Sequence, residues 1–158
     1  MPNFSASSTP AELGKARLAR PICPNCYPLK STKSPKIKGV EFDWFAVDSS
    51  GCLALFATAG AGFIPPTVSV HFHEHTAMSD MLPSPRWGSL MVWDDYSEVG
   101  LYVYDWVISY DSYTRLRTPV REMTDELHQK FLAISSLPRF DFEFRSRETI
   151  GSAFEGIG

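Results

Sequence analysis

From Val40 onward, apolar and aromatic positions fall into short blocks separated by turn-forming residues. Residues 40–47 and 51–58 are two such blocks, joined through Asp48-Ser49-Ser50-Gly51, residues that tolerate or favour bent backbone. They predict a β-hairpin. Gly60-Ala61-Gly62 breaks the second strand, and Pro65-Pro66 stops further ladder pairing by removing two backbone donors. Across residues 67–82 both periods fit: Val68, Val70 and Phe72 alternate as on a strand, whereas Val70, Ala77 and Met81, or Val68, Phe72 and Leu82, share a helical face. The reading adopted is a helix, ended by Pro83-Ser84-Pro85. Residues 89–94 and 100–110 are again apolar and aromatic, and the polar stretch Asp94-Asp95-Tyr96-Ser97-Glu98 between them predicts a second hairpin.

A short strand is expected at residues 113–116, before Pro119. Thr124 offers a hydroxyl to cap a helix whose first turn carries Asp125 and Glu126 at the positive end of the dipole. Leu127, Phe131 and Ile134 mark its buried stripe. Phe140-Asp141-Phe142-Glu143-Phe144 alternates ring and carboxylate, as on a half-solvated strand. In order, the blocks read ββ(α)ββ(β)αβ. They predict a single α+β domain whose mainly antiparallel sheet is built from hairpins, with one or two packed helices.

Charge changes the picture. Residues 1–38 are rich in Ser, Thr, Pro and Lys and carry seven Lys/Arg against Glu12, a formal +6, while the whole chain is −3. Residues 39–158 therefore hold 8 basic and 17 acidic side chains, or −9. The sequence divides into a basic flexible leader, 1–38, and an acidic α+β domain, 39–158. An acidic surface favours a basic protein partner and disfavours nucleic acid, whose phosphates need cations. The apolar runs are far below the roughly 20 residues that span a bilayer, so no membrane association is expected. Three cysteines build no disulfide framework, and no secretory leader pattern opens the sequence given, so a reducing cytoplasm is the expectation.

Candidate chemistry is sparse. His71-Phe72-His73-Glu74-His75 places three imidazoles on one face of a strand, or His71 and His75 one turn apart on a helix, a spacing that chelates transition metals. A structural zinc needs four ligands and a catalytic one three plus a base, so surface histidines are the plainer reading and a metal site or enzyme using His71, His73 and His75 is the alternative. Cys23-Pro24-Asn25-Cys26 is half a zinc knuckle with no second pair, and Cys52 sits inside an apolar strand. Gly60-Ala61-Gly62 lacks the third glycine and the Lys-Ser/Thr ending of a phosphate loop and reads as a tight turn. No nucleophile elbow is present, no catalytic residue is assigned and no cofactor is expected.

Phe42-Asp43-Trp44-Phe45-Ala46-Val47-Asp48, followed by the apolar strand and Gly60-Ala61-Gly62, resembles the opening of a family of largely uncharacterised bacterial proteins. Gly100-Leu101-Tyr102-Val103-Tyr104-Asp105-Trp106, then Tyr113-Thr114-Arg115 and Pro119, resembles that family's later block. The likeness spans about residues 40–145; the leader and the histidine cluster lie outside it. Such proteins accompany secreted polymorphic toxins, so the resemblance implies an immunity role and carries over no catalytic residue. The same aromatics also have a structural explanation, as cross-strand pairs on Trp44, Phe45, Tyr102, Tyr104 and Trp106. Asp43 and Asp105 each precede a Trp and project from the opposite face, where they meet a partner or pair with Arg115.

The leading expectation is a non-catalytic binding protein, an immunity-type antagonist that covers a basic toxin surface. A regulatory interaction domain unrelated to toxins is the third reading. Asp94, Asp95 and Glu98 are the first candidate contacts, with Asp43, Asp48, Trp44 and Trp106 behind them.

Overall fold

Residues 39–151 of this computed structural model are described, all within one structural unit of the chain. The leader and its Cys23/Cys26 pair lie outside the described residues. Five strands form one sheet in sequence order: β1 (Asp43–Val47), β2 (Leu53–Ala57), β3 (Tyr102–Val107), β4 (Ser112–Arg117) and β5 (Thr149–Gly151). Four α-helices accompany it: α1 (Pro66–Val70), α2 (Phe72–Met81), α3 (Val92–Glu98) and α4 (Asp125–Leu132). The sheet is mostly antiparallel, and the α+β class read from the sequence holds.

The first hairpin forms as expected, and the Asp48 side chain makes its turn. Asp48 Oδ1 accepts hydrogen bonds from the Ser50 and Cys52 amides at 2.9 and 2.8 Å and from the Ser50 hydroxyl at 2.8 Å. The second hairpin is displaced. Residues 92–98 are helix α3, not a strand and its connection, and β3 pairs instead with β4. Consequently α1, α2 and α3 all lie in the crossover between β2 and β3, which run parallel. Residues 67–82 are two helices rather than one, meeting at His71, which caps both. Thr124 caps α4 as predicted, its hydroxyl accepting from the Leu127 amide.

Parity along the strands sorts the core into two layers. Phe45, Val47, Leu53, Leu55 and Val103 face the helices and pack with Met78, Tyr96 and Phe131. Trp44, Phe56, Tyr104, Trp106 and Tyr113 fill the other face, covered by Val68, Phe140, Phe144 and Ile150. β2 is buried throughout, as its unbroken run Leu-Ala-Leu-Phe-Ala demands. Phe140 and Phe144 do turn inward, but their segment is no strand. Its backbone bonds to the end of β1 and to the first turn instead: the Val47 amide donates to the Pro138 carbonyl, Phe140 to Val47, and Ser49 to Phe142. No helix among the described residues is long and apolar enough to cross a membrane.

Candidate functional site

The expected sites separate into those the fold consumes and those it presents. Trp44 is fully buried, stacked on Phe56 with centroids 4.2 Å apart, and its Nε1 donates to the Tyr113 hydroxyl at 3.0 Å. Trp106 packs edge-on against the same tyrosine. Both indoles serve the aromatic layer and present no face to a partner. Asp48 is buried as well, its second oxygen accepting from the Phe144 amide at 2.8 Å.

Asp94, Asp95 and Glu98 lie on α3 and are met by cations. Asp95 is buried and takes both the backbone amide and the Nε of Arg86; Asp94 takes Arg117 Nε; Glu98 takes Arg86 at 3.2 Å and Arg121 at 3.8 Å. The charge that this stretch offers a partner is largely cancelled. Arg115 does not pair with Asp105 either. Cross-strand register sets Arg115 opposite Tyr104 and Asp105 opposite Thr114, so the two point to different faces, and Arg115 Nη1 donates to the carbonyls of Phe144, Arg145 and Arg147.

The three histidines also diverge. His71 pairs with Glu74 at 3.1 Å, and the His73 ring lies against Phe72. His75 is fully buried: Nδ1 accepts from the Phe45 amide at 3.1 Å, which fixes the proton on Nε2, donated to Ser136 Oγ at 3.1 Å. Its imidazole therefore satisfies an amide on the outer edge of β1, and burial pulls its pKa down to about 4. Both of its nitrogens are occupied, and among the described residues no group of three or more His, Cys, Asp or Glu is arranged to hold a metal ion.

Three further acids gather at the Asp43 end of β1. Asp43 and Asp105 both register with Ala57, one from each side, so they sit on the same helix-facing row, about 10 Å apart at Cα by strand spacing. Burial pushes the Asp43 carboxyl up to about 6, with Glu41 and Asp105 adding repulsion; Ser79 Oγ, donating at 3.2 Å, opposes the rise. Burial raises Asp105 too, again with a contribution from Glu41. Among the described residues none of these three carboxylates takes part in a salt bridge.

Beside them opens a cavity of about 450 Å³ walled by Glu41, Phe42, Asp43, Trp87, Trp93 and Tyr96. Trp87 is 80% exposed, and Leu90 follows it at 82%. Asp43 was legible as a site residue; Glu41, Trp87, Trp93 and Tyr96 were not, because they converge only once α3 folds back over the sheet. The repeated Asp-Trp pair was the available signal, since burying each Trp turns each Asp to the other face. Comparison with protein-family models, curated proteins and solved structures gives no match.

Proposed function

We propose that this chain is a non-catalytic binding domain for a basic protein, and specifically an immunity-type antagonist that covers a basic toxin surface. The observation that carries the reading is the concentration of Glu41, Asp43 and Asp105 at one end of the sheet with no cation paired to them among the described residues, in a domain whose acids on α3 are paired with arginine. A buried, repelled carboxylate is costly in the isolated protein, and a cation from a partner relieves that cost. The exposed loop bearing Trp87, Leu90 and Met91 adds apolar area beside the charge, the composition of an interface centre with an acidic rim. The contact surface thus shifts from the Asp94–Glu98 stretch to the Asp43 end of the sheet.

The test is to express the proteins encoded by the neighbouring genes, select any that are basic, and follow their association with this chain at low and high salt; failure of every one to associate would refute the reading. Complex formation should slow as salt rises, and slow further in the Glu41→Gln/Asp43→Asn/Asp105→Asn variant. A complex that forms at the same rate in wild type and variant, independent of salt, would refute this surface.

A further inference from the structure

We infer that the cavity beside Asp43 is a cage for an alkylammonium group, the tip of a lysine side chain on the partner. The inference rests on the basic-partner reading above and names the group that the site would take. Two carboxylates alone would be a solvated rim. Here they share a wall with two indoles, a phenol and a phenyl ring, from Trp87, Trp93, Tyr96 and Phe42, and among the described residues no Lys, Arg or His lines the cavity. Aromatic faces attract a cation within about 6 Å of the ring, and most strongly when the face is indole. A space of about 450 Å³ falls within the range of small-ligand sites.

The geometry favours an ammonium over a guanidinium. An arginine fork is matched to the two oxygens of one carboxylate, whereas this wall offers two separate carboxylates, Glu41 and Asp43, the second already hydrogen-bonded to Ser79 Oγ. A compact ammonium needs only one oxygen and can face a ring at the same time. The groups that bear on Asp43 are Glu41, Asp105, Tyr96 and Tyr113, with Ser79 as its hydrogen-bond donor. All four titratable neighbours are anionic or neutral at pH 7, so occupancy should rise as Asp43 ionises.

The probe is n-butylammonium titrated into the full chain, with indole emission and indole N–H shifts as readouts; n-butanol and n-butylguanidinium are the comparison ligands. The expected result is a saturable response to butylammonium, absent for butanol and weaker for butylguanidinium, and stronger at pH 7 than at pH 5. Trp87→Ala, on a side chain 80% exposed, and the isosteric Asp43→Asn should each weaken it roughly tenfold while both melt cooperatively. An equal response to butanol, a tighter one to butylguanidinium, or unchanged binding in Trp87→Ala would each overturn the lysine cage. A partner complex that butylammonium fails to displace would remove the cage and leave the basic-partner reading standing. Saturable butylammonium binding in a protein that engages no basic partner would do the reverse.

Discussion

Burial favours the neutral form of both His75 and Asp43, which lowers one pKa and raises the other, so their effects on stability as pH changes oppose each other. The folded His75 titrates near 4, below its ordinary 6.5. Between those values the unfolded chain binds a proton that the fold refuses, so the histidine costs up to about 3 kcal/mol as pH falls from 6.5 to 4. The folded Asp43 titrates near 6, above its ordinary 3.8. There the fold binds the extra proton, so ionised Asp43 costs up to about 3 kcal/mol at pH 7 and the cost fades as pH falls towards 4. We predict that Asp43→Asn is about 1–3 kcal/mol more stable than wild type at pH 7, with the difference shrinking towards pH 4.5. The same variant should lose stability on acidification more steeply than wild type, because the His75 term is no longer offset. Urea unfolding at several pH values checks this. A difference that stays constant with pH would show that Asp43 does not titrate near 6. A residue that destabilises the isolated fold at neutral pH is what a site kept for a cationic partner should look like.

At the scale of elements, the join between α3 and β3 turns on one residue. Gly100 has φ +100°, and a Cβ there would lie 2.6 Å from the Met123 amide nitrogen. Gly100→Ala should therefore cost about 2–5 kcal/mol, from left-handed strain together with a backbone clash that no side-chain rotation relieves. A shift in the denaturation midpoint at constant slope would confirm it, whereas a loss below about 1 kcal/mol would show that the α3–β3 corner yields. This corner is also where sequence and structure part. The first hairpin was legible because Asp48-Ser49-Ser50-Gly51 carries its own turn chemistry, and α4 because Thr124 and the Leu127/Phe131 spacing agree. Residues 89–98 misled because a short apolar run does not declare its period, and the acids that looked like a solvated connection are held on a helix by Arg86 and Arg117 from outside the segment. Phe140 and Phe144 were rightly read as inward, yet ladder pairing depends on a neighbour strand that alternation alone does not supply. For the site, Asp43 is visible from its parity with Trp44, but Trp93 and Tyr96 reach the wall only because residues 92–98 are a helix instead of a strand end and its connection, and Trp87 and Phe42 join it from flanking loops.

At the scale of the sheet, the two layers are closed mainly by different parts of the chain: α2, α3 and α4 cover one face, and the wrap of residues 138–150, with Val68 of α1, covers the other. The wrap is tied to the first hairpin through Asp48, which accepts the Phe144 amide with one oxygen while the other holds the β1–β2 turn. Phe144 also supplies a fully buried ring against Phe56 and Tyr104, and its carbonyl accepts from Tyr104 and Arg115. The turn and the wrap should therefore behave as one cooperative unit. Phe144→Ala is expected to cost about 3–5 kcal/mol from the cavity it leaves. Asp48→Ala is expected to cost about 2–3 kcal/mol, since it strands several buried or half-buried amides at once. If the two are coupled, the double variant loses less than the sum, by about 1 kcal/mol, because a wrap already loosened at Phe144 no longer needs the Asp48 acceptor. Chemical denaturation of the four proteins completes the cycle. Costs that add within about 0.3–0.5 kcal/mol would mean that the turn and the wrap stabilise the sheet independently, and that the bond between Asp48 and the Phe144 amide contributes nothing beyond local geometry.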